Sequence, residues 1–441
     1  MGSSDWKPAL VMNIRWFSPL DAEKTEIGRY TQALLPYLKE AFSLGVATDA
    51  TEIYQEFMAE THAWAVKALN IYNIGNSFMH YGIVRQAMEN PGVVILHDVC
   101  LLELGIAYAR EWPEFNLQEM VINEHGAEAG KLFARLYSEK TYEWCGDSQE
   151  QYDEFVTSYP LFETFTSNAL GIIVHSDYAL ERVKARYGGP VIKLDLPYEA
   201  PVVSPNARQF TCPLEIIFCG HAGPNRRLNQ FFSAWAKVSQ PNFFRLSLYG
   251  NISKAKELLA HAAELGLADL VNVVGFVDDE VLDQAIASSH LALNLRNPTI
   301  GEASASQLRY WSHGIASIVS DVGWYGELPD SVVLKVSPHS EQEGLISIME
   351  NILSGKQELL DIGTAGHQYL QSHHSVVSYI NAMSGYLPSV IENRFMSSII
   401  DNRLIGVMAS MCQEVEDTVI FKGTLAKISM ILSDLEEFPS N

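Results

Sequence analysis

The sequence predicts an α/β fold with parallel β-sheets in two domains. Residues 291–320 contain a strand, a polar turn, a helix and a second strand, which together form a βαβ unit. The run GVVILHDVCL at 92–101 is continuously apolar up to its polar end, a pattern typical of a strand that is buried on both faces of a parallel sheet. With 441 residues, the chain is long enough for two or three domains.

Strands and helices alternate along the first half of the chain. The strands are expected at 10–17, 71–80, 92–101 and 171–175, with helices over about 28–43 and 176–187. Residues 102–168 are predicted to form a helical insert, rich in Glu and aromatic residues.

A new βα pattern begins after a segment that contains three prolines and no periodicity, residues 199–213. Strands are predicted at 214–219, 244–251, 271–279 and 291–295, a glycine-rich loop at 321–330, and helices over 341–395. The expected organisation is an N-terminal domain over 1–198, a linker over 199–213, a C-terminal domain over 214–380 and C-terminal helices over 381–441.

Composition narrows the class of protein. Apolar residues make up 47% of the chain and charged residues 19%, which is typical of a globular protein. The net charge of −23, with both halves acidic, makes nucleic acid an unfavourable partner. Five scattered cysteines without a C-x-x-C pair indicate reduced thiols rather than disulfides or a zinc site. We find no signal-peptide layout and no apolar run of membrane-spanning length, and expect a cytoplasmic protein.

The helix after the strand at 291–295 is a candidate phosphate site. It is expected to begin near Glu302–Ser304 and to end at His313–Gly314, a cation followed by a left-handed glycine. Ala303–Ser306 would offer free N–H groups to a diphosphate, and Glu302 would hold a sugar hydroxyl. The alternative is an ordinary helix N-terminus with an acidic residue in its first turn.

Polar residues also follow the predicted strands of the first half. His97 and Asp98 close one strand, and His175 closes another. Asn76 and His80 follow the strand at 71–80, and these ends are expected at the edge of a cleft. The alternative for His97 is a core histidine with satisfied hydrogen bonds, and a structural role also stays open for Asn76 and His80.

A turn with two arginines follows the first strand of the second half. It spans Gly220–Arg227 and suits a diphosphate, because guanidinium groups bind phosphate oxygens in pairs. The alternative is a solvated basic start of a helix.

The segment R-N-P-T-x-G-E-x-S at 296–304, followed by Arg309, Gly314 and V-S-D-V-G-W-Y-x-E-L-P-D at 319–330, resembles the donor-site segment of family 4 retaining glycosyltransferases. The G-E-x-S turn is closest to a bacterial branch of that family. The resemblance implies the GT-B fold, in which two Rossmann-like domains face each other across a cleft. It implies transfer of a sugar from a nucleotide sugar with retention of configuration and without a metal or other cofactor.

Specific residues acquire expected roles from this resemblance. His97 would contact the donor sugar from the N-terminal domain, Glu302 would hold its hydroxyls, and Arg226, which matches the lysine of the family, would bind the diphosphate. Arg309 stands where most members have a second glutamate that binds ribose. The remaining donor-binding candidates are Gly220, His221, Arg227, Phe276, Val277, Arg296, Gly301, Ala303, Ser304, Ala305, Ser306 and Glu327, and those of the acceptor side and the cleft are Gly28, Asn76, His80, Asp98 and His175.

The expected function is therefore a glycosyltransferase of glycan biosynthesis that acts on a glycan, lipid-linked or protein acceptor. A lipid-linked acceptor would imply peripheral contact with the inner membrane, and the protein could form homo-oligomers. Two alternatives stay open: another GT-B enzyme, such as an epimerase or phosphorylase, or a non-catalytic sugar-nucleotide-binding or scaffolding protein.

Overall fold

The computed structural model describes residues 12–21, 25–47, 68–138, 140–146, 148–199, 212–252, 254–355 and 358–391. The chain divides into two compact units, residues 1–384 and residues 385–441, and both β-sheets belong to the first. Of the second unit only the helical residues 385–391 are described. The predicted linker therefore lies mostly, and the tail 396–441 entirely, outside the described residues.

The first sheet has six strands in the order β2-β1-β3-β4-β5-β6, and every neighbouring pair is parallel. Its central strand β4 is buried along its whole length, as the apolar run predicts. The strands are β1 (Asn13–Phe17), β2 (Ser43–Ala47), β3 (Ala68–Ile74), β4 (Gly92–Leu96), β5 (Ala169–Val174) and β6 (Val191–Lys193).

Seven helices accompany this sheet among the described residues. The first buries Tyr30, Leu34 and Leu38, which lie four residues apart on one face. The helices are α1 (Glu26–Ala41), α2 (Tyr81–Glu89), α3 (Leu102–Glu111), α4 (Leu117–His125), α5 (Ala127–Leu136), α6 (Gln149–Ser158) and α7 (Asp177–Lys184).

The first helix begins slightly before the predicted position of about 28, so Gly28 falls inside it. Helix α1 begins at Glu26, because the Thr25 side chain caps it by accepting a hydrogen bond from the amide of Ile27. Gly28 therefore lies in the first turn of the helix and not in the preceding loop. A Cβ atom there would lie 2.6 Å from the carbonyl oxygen of Asp21, so close packing on the chain requires glycine.

The second sheet also has six parallel strands, in the order β12-β11-β10-β7-β8-β9. This is the order of a doubly wound nucleotide-binding sheet. The strands are β7 (Leu214–Cys219), β8 (Phe244–Tyr249), β9 (Val271–Gly275), β10 (Leu291–Asn294), β11 (Ala316–Ser320) and β12 (Leu334–Val336).

The helices expected near 302–313 and over 341–395 are present, and one prediction for the second half is wrong. The expected loop at 321–330 contains a short helix, Gly323–Glu327. The helices are α8 (Leu228–Trp235), α9 (Ala255–Glu264), α10 (Asp279–Ser288), α11 (Ala305–Ser312), α12 (Gly323–Glu327), α13 (Glu341–Leu353), α14 (Leu359–His373) and α15 (376–391). Within the described part of the chain, no helix combines the length and apolar character needed to cross a membrane.

Candidate functional site

The order of the second sheet marks one place for a ligand. Strands β7 and β10 are parallel neighbours, and the chain continues to β8 on one side and to β11 on the other. In sheets of this kind, ligands bind beside the carboxyl ends of the strands where the order reverses. Gly220 follows β7 and Asn294 ends β10, so the loops after these two residues border the expected crevice.

Arg226 is the most unusual group at this edge. Its residue is only 5% exposed, and its guanidinium donates to the carbonyl of His221 (3.2 Å) and to Oδ1 of Asn294 (3.1 Å). Among the described residues, no carboxylate lies within 4 Å of it. Burial, followed by the nearby charge of Arg296, lowers the pKa of Arg226 to about 10, so the group still carries its charge at neutral pH.

Asn294 links Arg226 to the helix beside it. While its Oδ1 accepts from Arg226, its Nδ2 donates to Ser304 Oγ (3.3 Å) and to Gln307 Oε1 (3.1 Å). This amide therefore fixes the direction of the arginine. Asn294 was not selected from the sequence, although an asparagine that closes a buried strand (LALN) was an available signal.

Helix α11 begins at this network. Ser304 is its N-cap and accepts from the amide of Gln307 (3.2 Å), as predicted, and the helix ends at His313 and Gly314 as expected. Arg226 and the Ser306 hydroxyl both approach Gly220: a Cβ built there would lie 3.2 Å from Nη2 of Arg226 and 3.8 Å from Oγ of Ser306. Arg226 and the first turn of α11, which contains Ala305 and Ser306, therefore meet beside Gly220, while Ala303 lies just before the N-cap.

Glu302 lies in the turn before this helix and pairs with Arg296. Its Oε1 is 2.7 Å from Nε of Arg296, in an orientation that makes an ion pair rather than a linear hydrogen bond. Its Oε2 accepts from the hydroxyl of Thr299 (3.0 Å) and the amide of Ile300 (2.8 Å). Among the described residues, Glu302 is the one carboxylate that forms an ion pair with either of the two guanidinium groups, Arg226 and Arg296, an arrangement that suits an anion.

Two other residues of the arginine-rich turn have surroundings that differ from those of Arg226. Arg227 directs its guanidinium to Glu341, with three contacts of 2.7–3.2 Å. His221 is exposed, and the pKa of its ring is lowered by partial burial and by Arg226 and Arg296. It is therefore neutral at pH 7 and supplies no second cation.

The turn after β10 touches the first sheet. The carbonyl of Ile300 accepts from the amides of Val99 (2.8 Å) and Cys100 (2.9 Å), just beyond β4. Gly301 has φ +92°, and a Cβ there would lie 2.6 Å from Cγ2 of Val99. Asp98 is brought close to Glu302 by this contact. Burial, then the charge of Glu302, raises the pKa of Asp98 to about 7.

His97 is oriented by a buried asparagine. Asn73 donates through Nδ2 to the carbonyl of Phe17 (3.1 Å), so its Oδ1 is left to accept from Nε2 of His97 (3.1 Å). Burial, with smaller effects of His175 and His80, holds the pKa of His97 well below its usual value. The ring is therefore neutral, with its Nδ1 available as a hydrogen-bond acceptor. Asn73 was not predicted from the sequence.

The other candidates of the first sheet are buried around His97 or serve the backbone. His80 and His175 each use Nδ1 on a backbone carbonyl, that of Asn73 (2.9 Å) and that of Leu194 (2.9 Å). The His175 ring centroid is 5.0 Å from that of His97. Asn76, by contrast, caps α3 by accepting from the amides of Glu103 (2.8 Å) and Leu104 (3.1 Å). Its side-chain oxygen is therefore engaged in the fold.

Glu327 and the turn after β9 have different surroundings. The Glu327 carboxylate is engaged within the fold, where it accepts from the amides of Asp177 (2.9 Å) and Tyr178 (2.6 Å) at the start of α7. Phe276 is 72% exposed and Val277 is half-buried. These two follow Gly275, and stacking of a base on them remains a prediction.

Arg309 is buried between α11 and α10 and joins the two helices. It donates to Asp283 Oδ1 (2.8 Å), Asp279 Oδ1 (3.0 Å) and the carbonyl of Asp279 (3.0 Å). Asp279 also pairs with Arg29 of α1. Contact of Arg309 with a ribose would require breaking part of this arrangement.

The buried histidines predict an acid-sensitive fold. Burial lowers the pKa of His80 and of His175 to about 4, against about 6.5 in an unfolded chain. Between these values the unfolded chain binds protons that the folded chain does not, so stability is full above about pH 6.5 and falls towards pH 4. Each histidine contributes a slope of about 1.4 kcal/mol per pH unit.

Urea unfolding at pH 7, 6 and 5 gives the slope of the free energy of unfolding against pH. Near pH 5 this slope should be smaller by about 1.4 kcal/mol per pH unit in His80→Gln than in the wild type. The raised pKa of Asp98 acts in the opposite direction, so the variant and not the wild type alone isolates His80. His261→Gln, at a position partly open to solvent, is the control. Equal slopes for wild type and His80→Gln would contradict the prediction.

Comparison with known proteins gives matches at the level of structure. Sucrose-phosphate synthase from Thermosynechococcus elongatus matches with a TM-score of 0.57 at 13% identity, covering 86% of this chain and 99% of that one. Anabaena HepE in complex with UDP-glucose matches at 0.51 with 15% identity, covering 86% and 100%. WaaG, a glycosyltransferase involved in lipopolysaccharide biosynthesis, matches at 0.51 with 14% identity, covering 85% and 98%.

The chain has the GT-B fold. The solved structures that it resembles include glycosyltransferases, one of them bound to UDP-glucose. No protein-family model and no curated protein matches the sequence. At these identities the likeness establishes the fold, and the activity has to be argued from the chain's own residues.

Proposed function

We propose that this protein is a glycosyltransferase that moves a sugar from a nucleotide sugar to a glycan, lipid-linked or protein acceptor. The observation that carries the proposal is Arg226, a buried cation with no carboxylate within 4 Å in the described part of the chain. An uncompensated charge of this kind is costly to bury unless a ligand of opposite charge completes it. A diphosphate between Arg226, Arg296 and the start of α11 would do so.

The proposed reaction uses that charge on the leaving group. The bond between the anomeric carbon and the diphosphate oxygen breaks, and negative charge develops on that oxygen. Arg226 and the amides of Ala303–Ser306 stabilise it without reorganising, which is how preorganised donors lower a barrier. Glu302 holds hydroxyls of the sugar, and the neutral His97 accepts from another hydroxyl through Nδ1.

We further propose retention of configuration without a metal. In a front-face reaction the acceptor oxygen bonds to the anomeric carbon on the side that the diphosphate leaves, and the leaving oxygen takes the acceptor proton. This route needs no enzymic nucleophile. The family 4 motif at 296–330 and the charge arrangement around Arg226 both support it.

A non-catalytic GT-B protein that binds a sugar nucleotide or acts as a scaffold is the alternative. Arg309 favours it, because the position of an expected ribose-binding glutamate holds an arginine that is paired within the fold. Such a protein would bind the nucleotide sugar, or a partner, without releasing a diphosphate.

The first experiment is a thermal-shift panel of UDP, GDP, dTDP and ADP sugars against the purified protein. A ligand at 100 times its Kd adds about 2.7 kcal/mol of stability, and we expect one nucleotide class to do so. Failure of every nucleotide sugar to raise Tm would overturn the proposal.

Assays with the stabilising nucleotide sugar separate the enzyme from the alternative. The enzyme is expected to release the nucleoside diphosphate only when an acceptor is added. This release should persist in EDTA. The anomeric coupling constant of the product, measured by NMR, reports retention or inversion. Binding with no release for any acceptor in a panel of glycans, lipid-linked sugars and peptides would favour the non-catalytic alternative.

A further inference from the structure

Three side chains between α4 and the segment before β5 form a compact set of potential metal ligands. Glu124 and His125 end helix α4, and Glu163 directly precedes the 3-10 turn Thr164–Thr166. Each offers one ligand atom, and the three atoms lie within 4.8 Å of one another. Their side chains are 11%, 3% and 16% exposed. None of these residues belongs to the proposed donor site.

In each of the two carboxylates, one oxygen accepts hydrogen bonds from the protein. The other oxygen remains for a metal ion. Oε1 of Glu124 accepts from the amide (2.7 Å) and the hydroxyl of Thr164. Oε1 of Glu163 accepts from Nε of Arg186. Contacts of this kind orient ligands from behind, as outer-shell groups do in metal sites.

The remaining three atoms have no hydrogen-bond partner within the described part of the chain, although all are buried. They are Glu124 Oε2, His125 Nε2 and Glu163 Oε2. Nε2 of His125 lies 3.8 Å from Oε2 of Glu124 and 3.7 Å from Oε1 of Glu163, which is too long for hydrogen bonds. Buried polar atoms are rarely left in this state, and three of them on side chains this close together point to a common partner.

The spacing fits a small divalent cation. Nitrogen and carboxylate oxygen bind Zn²⁺ at about 2.0–2.2 Å, which places neighbouring ligand atoms about 3.5 Å apart. Nε2 of His125 and Oε2 of Glu124, 3.8 Å apart, already approach that separation, and the three ligand atoms of the set all lie within 4.8 Å of one another. A fourth, open position would take water, as at sites with three protein ligands.

Electrostatics favours a cation at this point. The C-terminal end of α4 carries the negative end of the helix dipole, and two carboxylates face one guanidinium, that of Arg186. Arg186 also donates through Nη2 to the carbonyl of Glu124 (2.8 Å), so it supports the site from outside.

We propose that Glu124, His125 and Glu163 bind a divalent cation, best matched by Zn²⁺, as a structural site. The ion would join the end of α4 to the segment at 163–166 and, through Arg186, to the chain just after α7. It would stabilise the helical part of the first half and take no part in sugar transfer. The competing description is a protonated His125 that pairs with the two glutamates and needs no ion.

The test uses the untagged full chain after EDTA treatment and dialysis. Calorimetric titration with Zn²⁺ should give one site per chain, and Tm should rise by several degrees in excess Zn²⁺. His125→Ala, Glu124→Gln and Glu163→Gln should each weaken binding at least tenfold. Both Gln variants keep an oxygen that can accept from Thr164 or Arg186, so the fold is expected to survive.

His261→Ala is the matched control, because His261 lies 3.8 Å from Glu264 at a partly exposed i,i+3 position. It should bind Zn²⁺ like the wild type. Anomalous scattering at the zinc edge should place the ion between the three side chains. Absence of stoichiometric binding, binding unchanged in all three variants, or an ion located elsewhere would each overturn the proposal. The nucleotide-sugar thermal shift should persist in Glu163→Gln, which separates this site from the proposed function.

Discussion

Arg226→Gln is expected to abolish the thermal shift given by the cognate nucleotide sugar and to raise its Kd at least 100-fold. The physical reason is the loss of a buried cation from its proposed diphosphate contact, a change that typically costs about 2–5 kcal/mol of binding energy. The free energy of unfolding should change by no more than about 1 kcal/mol, because the variant also removes a charge that is costly to bury. Glutamine is a milder replacement than alanine at this position, since its side chain retains an N–H donor for Oδ1 of Asn294.

The adjacent arginine provides the control for this experiment. Arg227→Gln removes the bidentate partner of Glu341, whose side chain is 8% exposed, and leaves that carboxylate unpaired. Because Arg227 is itself 20% exposed, water offsets part of the loss, and we expect a destabilisation of about 2 kcal/mol. Nucleotide affinity should stay within about twofold.

The two variants therefore separate binding from stability. Isothermal titration calorimetry measures the Kd of the nucleotide sugar for each variant, and urea unfolding measures the free energy of unfolding of each variant. If Arg226→Gln retained nucleotide affinity, or if Arg227→Gln lost it while remaining folded, the assignment of the diphosphate to Arg226 would be wrong.

Structural features that depend on residues close together in the chain were predicted from local sequence patterns. The continuous apolar run at 92–101 predicted the buried strand β4, and Ser304 and Gly314 predicted the two ends of α11. A capping side chain lies within three residues of the amide that it serves, so these features can be identified from sequence alone.

Long-range partners were not predictable in the same way. Arg227 and Glu341 are separated by 114 positions, and Glu327 and Asp177 by 150. Only the order of the strands brings such pairs together. The resemblance singled out Arg226, but residue type alone did not separate the two arginines of the turn at 220–227. In the structure one pairs with a glutamate and the other is buried with neutral partners.

The asparagines were missed for a related reason. Asn73 and Asn294 each lie at or near the end of a buried strand, where a polar residue has to find partners. Their function is to orient His97 and Arg226. A search for charged residues alone does not select them. A neutral polar residue within an apolar strand can nevertheless be recognised in the sequence, and it indicates a side chain that must form hydrogen bonds inside the fold.

Gly301→Ala is expected to destabilise the protein by about 3 kcal/mol, through a left-handed backbone and a steric clash that add together. Gly301 has φ +92°, and the new Cβ would lie 2.6 Å from Cγ2 and 2.7 Å from Cβ of Val99. The turn cannot retreat freely, because the Ile300 carbonyl accepts from the amides of Val99 and Cys100. Movement of this turn would also displace Glu302, so the nucleotide-sugar shift should shrink.

Gly266→Ala isolates the backbone contribution. Gly266 has φ +77°, but none of the described residues places a heavy atom within 4 Å of a Cβ built there, apart from its chain neighbours. We expect it to cost about 1 kcal/mol. In a double-mutant cycle, Val99→Gly should recover part of the cost of Gly301→Ala, because it removes both clashing carbons. Equal costs for the two Gly→Ala variants, measured by urea unfolding, would mean that the turn before α11 is not held against the loop after β4. The closeness of Glu302 to Asp98 would then need another cause.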